Sequence, residues 1–338
     1  MSGSARPEAA GSAARTAEPP PHRTWNDMPS KMDGLVLIRA HGLRLPDTFE
    51  VAGPDDSEQL RDWIGARRST GPESWMVRVD APPPVRFGIN GATAAAADIP
   101  EVVRRIRRAN ADDRVRLLIQ RRVEHRTDGI ALRTARGRVV IESQGPSGGN
   151  FYRDGSTPSR WSIDAAEPER EVGCLSANGL VRLLAALNAL PVATCLEWVL
   201  TPEDELYFVD AKALPREYLA AFDEHGSRSG YAVVLSGVAR GTVVEPGGAG
   251  AGARAGAIHL EEGTGVDVLG RIEPATRAVV FQRGGLLAHA AVYAGQLGIP
   301  VLLCPPGQLG GLLPGAEGEL VLDGGRHEFT PRAERDAV

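Results

Sequence analysis

Residues 284–304, GGLLAHAAVYAGQLGIPVLLC, constrain the fold more than any other part of the chain. The run AVVF at 278–281 is apolar and β-branched, as a buried strand is, and Gly284 and Gly285 then allow a sharp turn. From 288 to 297 the residues are helix formers. Gly298 suits a helix C-terminus, and Pro300 stops any continuation before a second apolar run at 301–304. The pattern predicts a strand-turn-helix-strand unit and hence an α/β fold. It also places His289 in the first helical turn, where unpaired backbone N–H groups and the positive end of the helix dipole favour an anion. A neutral imidazole is a nucleophile near pH 7, so His289 is a candidate carrier of a phosphoryl group. The plain alternative is a polar first-turn residue that only caps or packs.

The segment resembles the phosphohistidine swivelling domain of phosphoenolpyruvate synthases and pyruvate phosphate dikinases. That motif reads roughly GG-x-x-[SC]-H-A-A-[IV]-x-A-x-x-x-G-I-P, and the matching positions are Gly284, Gly285, His289, Ala290, Ala291, Val292, Ala294, Gly298, Ile299 and Pro300. Two positions depart from it. Ala288 stands where the family has Ser or Cys, and Leu287 where Thr or Ser is usual, so polar partners near the imidazole are lost. The run SGVARGTVV at 236–244 resembles the opening turn of the same domain, which extends the likeness over the whole C-terminal part. The resemblance implies that His289 accepts a phosphoryl group on a swivelling domain whose glycine pair forms the swivel loop.

A chain of 338 residues fits two domains. The 38 Lys and Arg against 43 Asp and Glu leave a net charge of −5, which gives no electrostatic case for nucleic acid or an anionic membrane. A small-molecule or protein partner is expected instead. Cys174, Cys195 and Cys304 lack both metal-ligand spacing and the even count of a disulfide framework, so they read as buried thiols in a reducing cytosol. No apolar run approaches the ~18 residues of a membrane helix, and the amino terminus has no charged-then-apolar signal pattern. A cytoplasmic location follows from this reading. Residues 1–24, poor in large apolar side chains, read as a disordered tail. Structure is expected over 25–220, a polar glycine-containing linker over 221–230, and a second, smaller α/β domain over 231–338. The run GGAGAGARAG at 247–256 lacks the Gly-Lys-Ser/Thr ending of a phosphate loop and reads as a surface loop.

Three fragments of the first part resemble the nucleotide-binding half of the same enzymes, which has an ATP-grasp fold. The first, residues 31–51, combines an amphipathic helix, Gly42, Leu45-Pro46 and a strand. Lys31 occupies the place of a phosphate-contacting lysine, with Pro29-Ser30 replacing the usual glycines. The second, WMVRVD at 75–80, is similar to a strand ending Val-Arg-Ser-Ser, with Arg78 in place of its phosphate-binding arginine. A planar guanidinium donates paired hydrogen bonds to phosphate oxygens, so Arg78 keeps that capacity although the serines are gone. The following PPPVRFGINGA is shorter and richer in proline than the family's phosphate lid. The third, LLIQRRV at 117–123, resembles the adenine-contacting Val-Gln-x-x-Val, with Gln120 as the match.

Residues 195–214, CLEWVLTPEDELYFVDAKAL, read as a hairpin about Pro202-Glu203-Asp204. Period-two alternation puts Glu197 on one strand and both Asp210 and Lys212 on one face of the other. Two carboxylates across a hairpin can share a magnesium ion, and a lysine can meet the phosphates that the ion bridges. In the family these positions read Ile-Glu-Trp and Gln-x-Arg-Pro, so Asp210 replaces a glutamine and Lys212 an arginine. Cross-strand decoration of a sheet is the alternative for such a pair. Residues 128–132 and 139–142 look like the family's central strands, joined by a turn at 136–138, and GPSGGNFYRDG at 145–155 stands where the family has a glycine-rich segment. The remaining histidines, at 22, 41, 125, 225, 259 and 327, are read as lying in loops or at exposed element ends.

Together these features imply an ATP-grasp domain followed by a phosphohistidine domain. They imply a dikinase-like, Mg²⁺-dependent phosphotransferase in which ATP is cleaved to AMP and phosphate and a phosphoryl group passes through His289. The expected site is His289, with Lys31, Arg78, Gln120 and Lys212 on ATP and Glu197 and Asp210 on the metal. The family's pyruvate-binding barrel has no room in this chain. The expected acceptor is therefore a small molecule such as a secondary metabolite or amino-acid derivative, or a substrate held by a partner protein. A non-catalytic nucleotide-binding module, or a phosphohistidine relay to a partner protein, is the alternative.

Overall fold

The computed structural model describes residues 30–51, 57–66, 74–80, 91–110, 115–144, 158–163, 172–214, 218, 222, 232–245, 256–308, 310–323 and 326–332. The expected tail at 1–24 and the segment at 145–155 lie outside these. So do all of the expected linker at 221–230 except Phe222, all of the run at 247–256 except Gly256, and all of the proline-rich segment at 82–92 except Gly91 and Ala92. The described residues form a mixed α/β fold of three sheets with helices laid against them.

In the first sheet, strands β1 (Thr48–Val51), β2 (Ser74–Asp80), β3 (Gly91–Ala95) and β4 (Arg116–Arg121) are antiparallel in the order β1-β4-β2-β3. Helices α2 (Ser57–Gly65) and α3 (Ile99–Ala109) pack on it. Helix α3 buries Ile99, Val102, Val103 and Ile106, a spacing of three and four that forms one stripe, against Trp75, Val77, Leu117 and Ile119.

The second sheet contains β5 (Thr127–Arg133), β6 (Val139–Gln144), β7 (Ser159–Ile163), β8 (Thr194–Leu200) and β9 (Leu206–Ala213), all antiparallel, in the order β7-β6-β5-β8-β9. Its faces are divided by strand alternation. Ala131, Ile141, Leu196, Trp198 and Leu200 bury against Leu35 and Ile38 of helix α1 (Lys31–Ala40) and against Leu180, Leu183 and Leu187 of helix α4 (Ala177–Ala189). Ile130, Leu132, Val140 and Cys195 point the other way, into a core shared with Phe281, Leu286, Leu287 and Ala290 of the C-terminal part. Between β8 and β9 the register shifts: Glu197 pairs with Asp210, whereas Trp198 pairs with Phe208, leaving Val209 as an extra residue. Strict alternation puts Phe208 on the face of Asp210. The bulge instead returns Phe208 to the core with Trp198 while Asp210 faces the other way beside Glu197.

The third sheet runs β10-β14-β13-β12-β11-β15-β16. Its centre is parallel, made of β11 (Gly237–Val244), β12 (Ile258–Glu261), β13 (Ala278–Phe281) and β14 (Val301–Leu303). β10 (Ala232–Leu235), β15 (Glu317–Asp323) and β16 (Arg326–Pro331) are antiparallel to their neighbours. AVVF is β13, buried on both faces: Val279 and Phe281 enter the core shared with the second sheet, Ala278 and Val280 the core behind. Helix α5 (His289–Gln296) connects β13 to β14 as the spacing predicts. Two expectations are corrected. The run at 236–244 is not a turn: from Gly237 it is the continuous strand β11, whose backbone pairs with β12 and β15. Cys195 and Cys304 are buried, but Cys174 is only partly so. Among the described residues, no helix is long and apolar enough to cross a membrane.

Candidate active site

The hairpin of β8 and β9 supplies the centre of a charged cluster. Glu197 and Asp210 face each other across the two strands, and Lys212 Nζ lies 2.9 Å from Glu197 Oε1 and 3.4 Å from Asp210 Oδ2. Arg78 arrives from β2 of the first sheet. Its Nη2 is 3.5 Å from Asp210 Oδ2 and 3.9 Å from Glu197 Oε2, while its Nη1 donates to Gln120 Oε1 at 3.3 Å. The same Nη1 donates to the carbonyl of Val209 at 3.0 Å, so the residue left over by the bulge holds the guanidinium across the gap between sheets. Gln120 in turn donates through Nε2 to Thr48 Oγ1 at 3.3 Å.

Lys31 begins α1. Its N–H donates to Asp80 Oδ1 at 2.8 Å, and a capping box between Ser30 and Asp33 fixes the start of the helix. Its Nζ donates to the carbonyl of Val79 at 3.3 Å. Burial foremost, and then repulsion from Arg78, lowers the Lys31 ammonium from 10.5 to about 8. With Lys212 and Arg78 it faces two carboxylates, so the positive charges outnumber the negative ones, a balance suited to phosphate oxygens.

His289 reaches the same cluster from the third sheet: its Nε2 is 3.4 Å from Glu197 Oε1, the oxygen that Lys212 also contacts. Burial foremost, reinforced by the charge of Lys212, lowers its imidazole from 6.5 to about 3, so the ring is neutral at pH 7. Glu197 and Asp210 are pushed apart by their surroundings. Burial works against both anions, but at Glu197 the charge of Lys212 holds the carboxyl below its usual range, whereas at Asp210 burial prevails and raises it. Burial by itself would lower Lys212, yet the two carboxylates hold it above the usual lysine value.

The loop ahead of His289 explains the glycine pair. Gly284 has φ +118°, and a Cβ there would overlap Thr264 Oγ1, which accepts the N–H of Gly285 at 3.2 Å. Ala288 is the N-cap of α5 and provides no side-chain cap. A metal can be tested against the donor set. Asp210 Oδ2 is buried and, among the described residues, accepts no hydrogen bond; it is held beside Glu197 by the charges of Lys212 and Arg78, 3.4 and 3.5 Å away. No group of three or more His, Cys, Asp or Glu with metal-holding geometry occurs among the described residues. Two carboxylates fit magnesium, which binds through one or two carboxylates together with substrate phosphates.

Every side chain expected at the site from the sequence is thus in one cluster, apart from the loop glycines, which shape the approach of His289. What the sequence reading missed is Glu142. Fully buried on β6, it accepts the N–H groups of Leu286 and Leu287, three and two residues before His289, at 2.9 and 2.8 Å. The signal was a lone carboxylate in a run, VVIESQ, that is otherwise suited to burial. His259, read as exposed, is instead buried on β12 with its Nδ1 3.8 Å from Glu261 Oε1. Its place inside a parallel strand was hidden by the short apolar run around it.

No protein family and no curated protein sequence matches the chain. Solved structures that it partly matches include a D-alanine-D-alanine ligase from Coxiella burnetii, at 14% identity over 54% of this chain and 46% of that one, with a TM-score of 0.34. The D-alanyl-alanine synthetase A of Vibrio cholerae is 13% identical over 59% of this chain and 61% of its own, with a TM-score of 0.35. The ATP-grasp ligase PsnB, complexed with a minimal precursor, is 14% identical over 54% and 51%, with a TM-score of 0.32. The chain spans about half the length of these structures, and none of the three bears the name of a phosphohistidine enzyme.

Proposed function

We propose that this chain is an ATP-dependent phosphotransferase in which residues 25–220 form an ATP-grasp-like nucleotide-binding unit and 231–338 a phosphohistidine carrier, joined through 221–230. Lys31, Arg78 and Lys212 bind the phosphates of ATP, and Gln120 lines the nucleotide site. Glu197 and Asp210 hold magnesium, which when bound offsets phosphate charge. His289 is the nucleophile. The observation that carries this reading is the 3.4 Å approach of His289 Nε2 to Glu197 Oε1, which sets a neutral imidazole against the cationic cluster.

The residues' tasks follow from their chemistry. The Nε2 lone pair attacks phosphorus, the bond from phosphorus to the departing nucleotide oxygen breaks, and the cations around that point stabilise the charge carried away. By the resemblance to dikinases, attack on the β-phosphorus releases AMP and leaves a pyrophosphoryl group on His289; water then takes the γ-phosphoryl group as phosphate, breaking the β–γ bridge, and the β-phosphoryl group remains on Nε2. Transfer to the acceptor then requires the carrier to move away from the nucleotide. The acceptor is a small molecule, such as a secondary metabolite or an amino-acid derivative, or a substrate presented by a partner protein.

The test is the intact mass of the protein after incubation with Mg-ATP, with nucleotide analysis alongside, for wild type and His289→Ala. The expected result is an acid-labile phosphoryl adduct together with AMP, both absent from the variant. Stabilisation by ATP with neither adduct nor nucleotide turnover would replace the enzyme with a nucleotide-binding module.

A further inference from the structure

Glu142 lies on the same row of the second sheet as the charged cluster. Across the strands, Arg160 pairs with Glu142, Glu142 with Ile130, Ile130 with Glu197, and Glu197 with Asp210. Directly opposed residues in antiparallel strands share a face, so two carboxylates, Glu142 and Glu197, stand on one surface two strands apart, roughly 10 Å. The interval is covered by Ile130, which packs in one core with Leu286, Leu287 and Ala288. Glu142 Oε1 accepts from Nε and Nη2 of Arg160, both at 2.7 Å, and from Leu286 N–H; Oε2 accepts from Leu287 N–H.

Other contacts narrow the fit. The hydroxyl of Tyr218 donates to the carbonyl of Leu286 at 2.5 Å, so the loop backbone is gripped through both its N–H and C=O groups. At Gly285 a Cβ would come within 2.5 Å of Glu142 Oε2 and 3.1 Å of Pro158 Cγ, so only glycine lets the loop approach.

We propose that Glu142, oriented by Arg160, is the positioning residue that docks the 284–288 loop and thereby sets His289 against the nucleotide cluster. Its functional consequence rests on the carrier role proposed for His289. The contact is reversible by construction. When the loop departs, Glu142 keeps Arg160 as partner, so the carboxylate is not stranded, and what it loses is restored only when the same two N–H groups return. Leu286 and Leu287 are gripped through their backbone, so the latch reads the position of the chain and leaves the imidazole unencumbered.

The test uses the full chain as wild type, Glu142→Gln, Gly285→Ala and His289→Ala. Three quantities are read: amide hydrogen exchange at 286 and 287, nucleotide affinity, and the single-turnover rate of adduct formation with Mg-ATP. Glu142→Gln keeps the shape but loses the charge, and Gly285→Ala obstructs the same contact from the loop side. Both are expected to speed exchange at 286 and 287 by at least about tenfold while the amides of β5 and β6 stay protected. Both should slow adduct formation on the order of a hundredfold at unchanged nucleotide affinity. His289→Ala should abolish the adduct and leave the exchange as in wild type. Unchanged exchange in both variants, or faster exchange with an unchanged adduct rate, would overturn the positioning role. Faster exchange in both variants with no adduct even in wild type would uphold the latch and defeat the carrier instead.

Discussion

Replacing Lys212 with methionine should return His289 part of the way to an ordinary histidine. Lys212 Nζ and His289 Nε2 touch the same oxygen, Glu197 Oε1, at 2.9 and 3.4 Å. The two nitrogens are therefore no more than about 6 Å apart, and at an effective dielectric of ~20 a lysine charge opposes protonation of the ring by ~3 kcal/mol, or ~2 pH units. The imidazole is held at about 3. Lys212→Met should bring it to about 5, still below 6.5 because burial, with Lys31 and Arg78, outweighs the opposing charge of Glu197. The stability consequence has a definite sign. The folded value lies below the unfolded one, so above 6.5 the ring is neutral in both states and contributes nothing. As pH falls below 6.5 only the unfolded chain takes up the proton. Stability is then lost at ~1.4 kcal/mol per pH unit until the folded ring titrates too, which amounts to ~2 kcal/mol by about pH 5. The assay is the Cε1–H shift of His289 against pH in wild type and Lys212→Met, with urea unfolding of wild type and His289→Ala at about pH 7.5 and about pH 5. The variant should lose ~2 kcal/mol less than wild type over that interval. A wild-type ring titrating near 6.5, or one that ignores Lys212→Met, would refute the reasoning.

Lys31, lowered to about 8, should lose its charge over the range where most lysines keep theirs. ATP affinity should fall about tenfold between about pH 7 and about pH 9, and Lys31→Met should bind more weakly with no such slope; an equal slope in both would assign the titration elsewhere. Asp210→Asn keeps the side-chain shape and removes the negative charge. Magnesium should strengthen ATP binding to it at least about tenfold less than to wild type, as calorimetry with and without the ion would measure. Equal dependence on the ion in both proteins would remove Asp210 from the metal site.

Much of the site was legible because it sits on regular elements. Period two places Asp210 and Lys212 together, and the helix signals after Gly285 place His289 in a first turn, whatever the tertiary structure. What escaped depends on distances between segments. Nothing near Glu142 in sequence says that its partners are Leu286 and Leu287, and the shift of Phe208 to the other face depends on a register irregularity that alternation cannot express. His259 was misjudged for a related reason, since a polar residue in a buried parallel strand is indistinguishable from a loop residue until its neighbours on both sides are known.

The extra residue at Val209 also says how this hairpin can change over time. At 210 and 212 the side chain is open to exchange only where its charge is kept, because another carboxylate or another cation at those points meets the same partners. Length is not open to exchange. Removing the one residue between Phe208 and Asp210 would restore a regular ladder with Asp210 still opposite Glu197, and would take from Arg78 the carbonyl that holds it. The bulge is thus inherited together with its hold on Arg78, while side chains of like charge at 210 and 212 are free to drift.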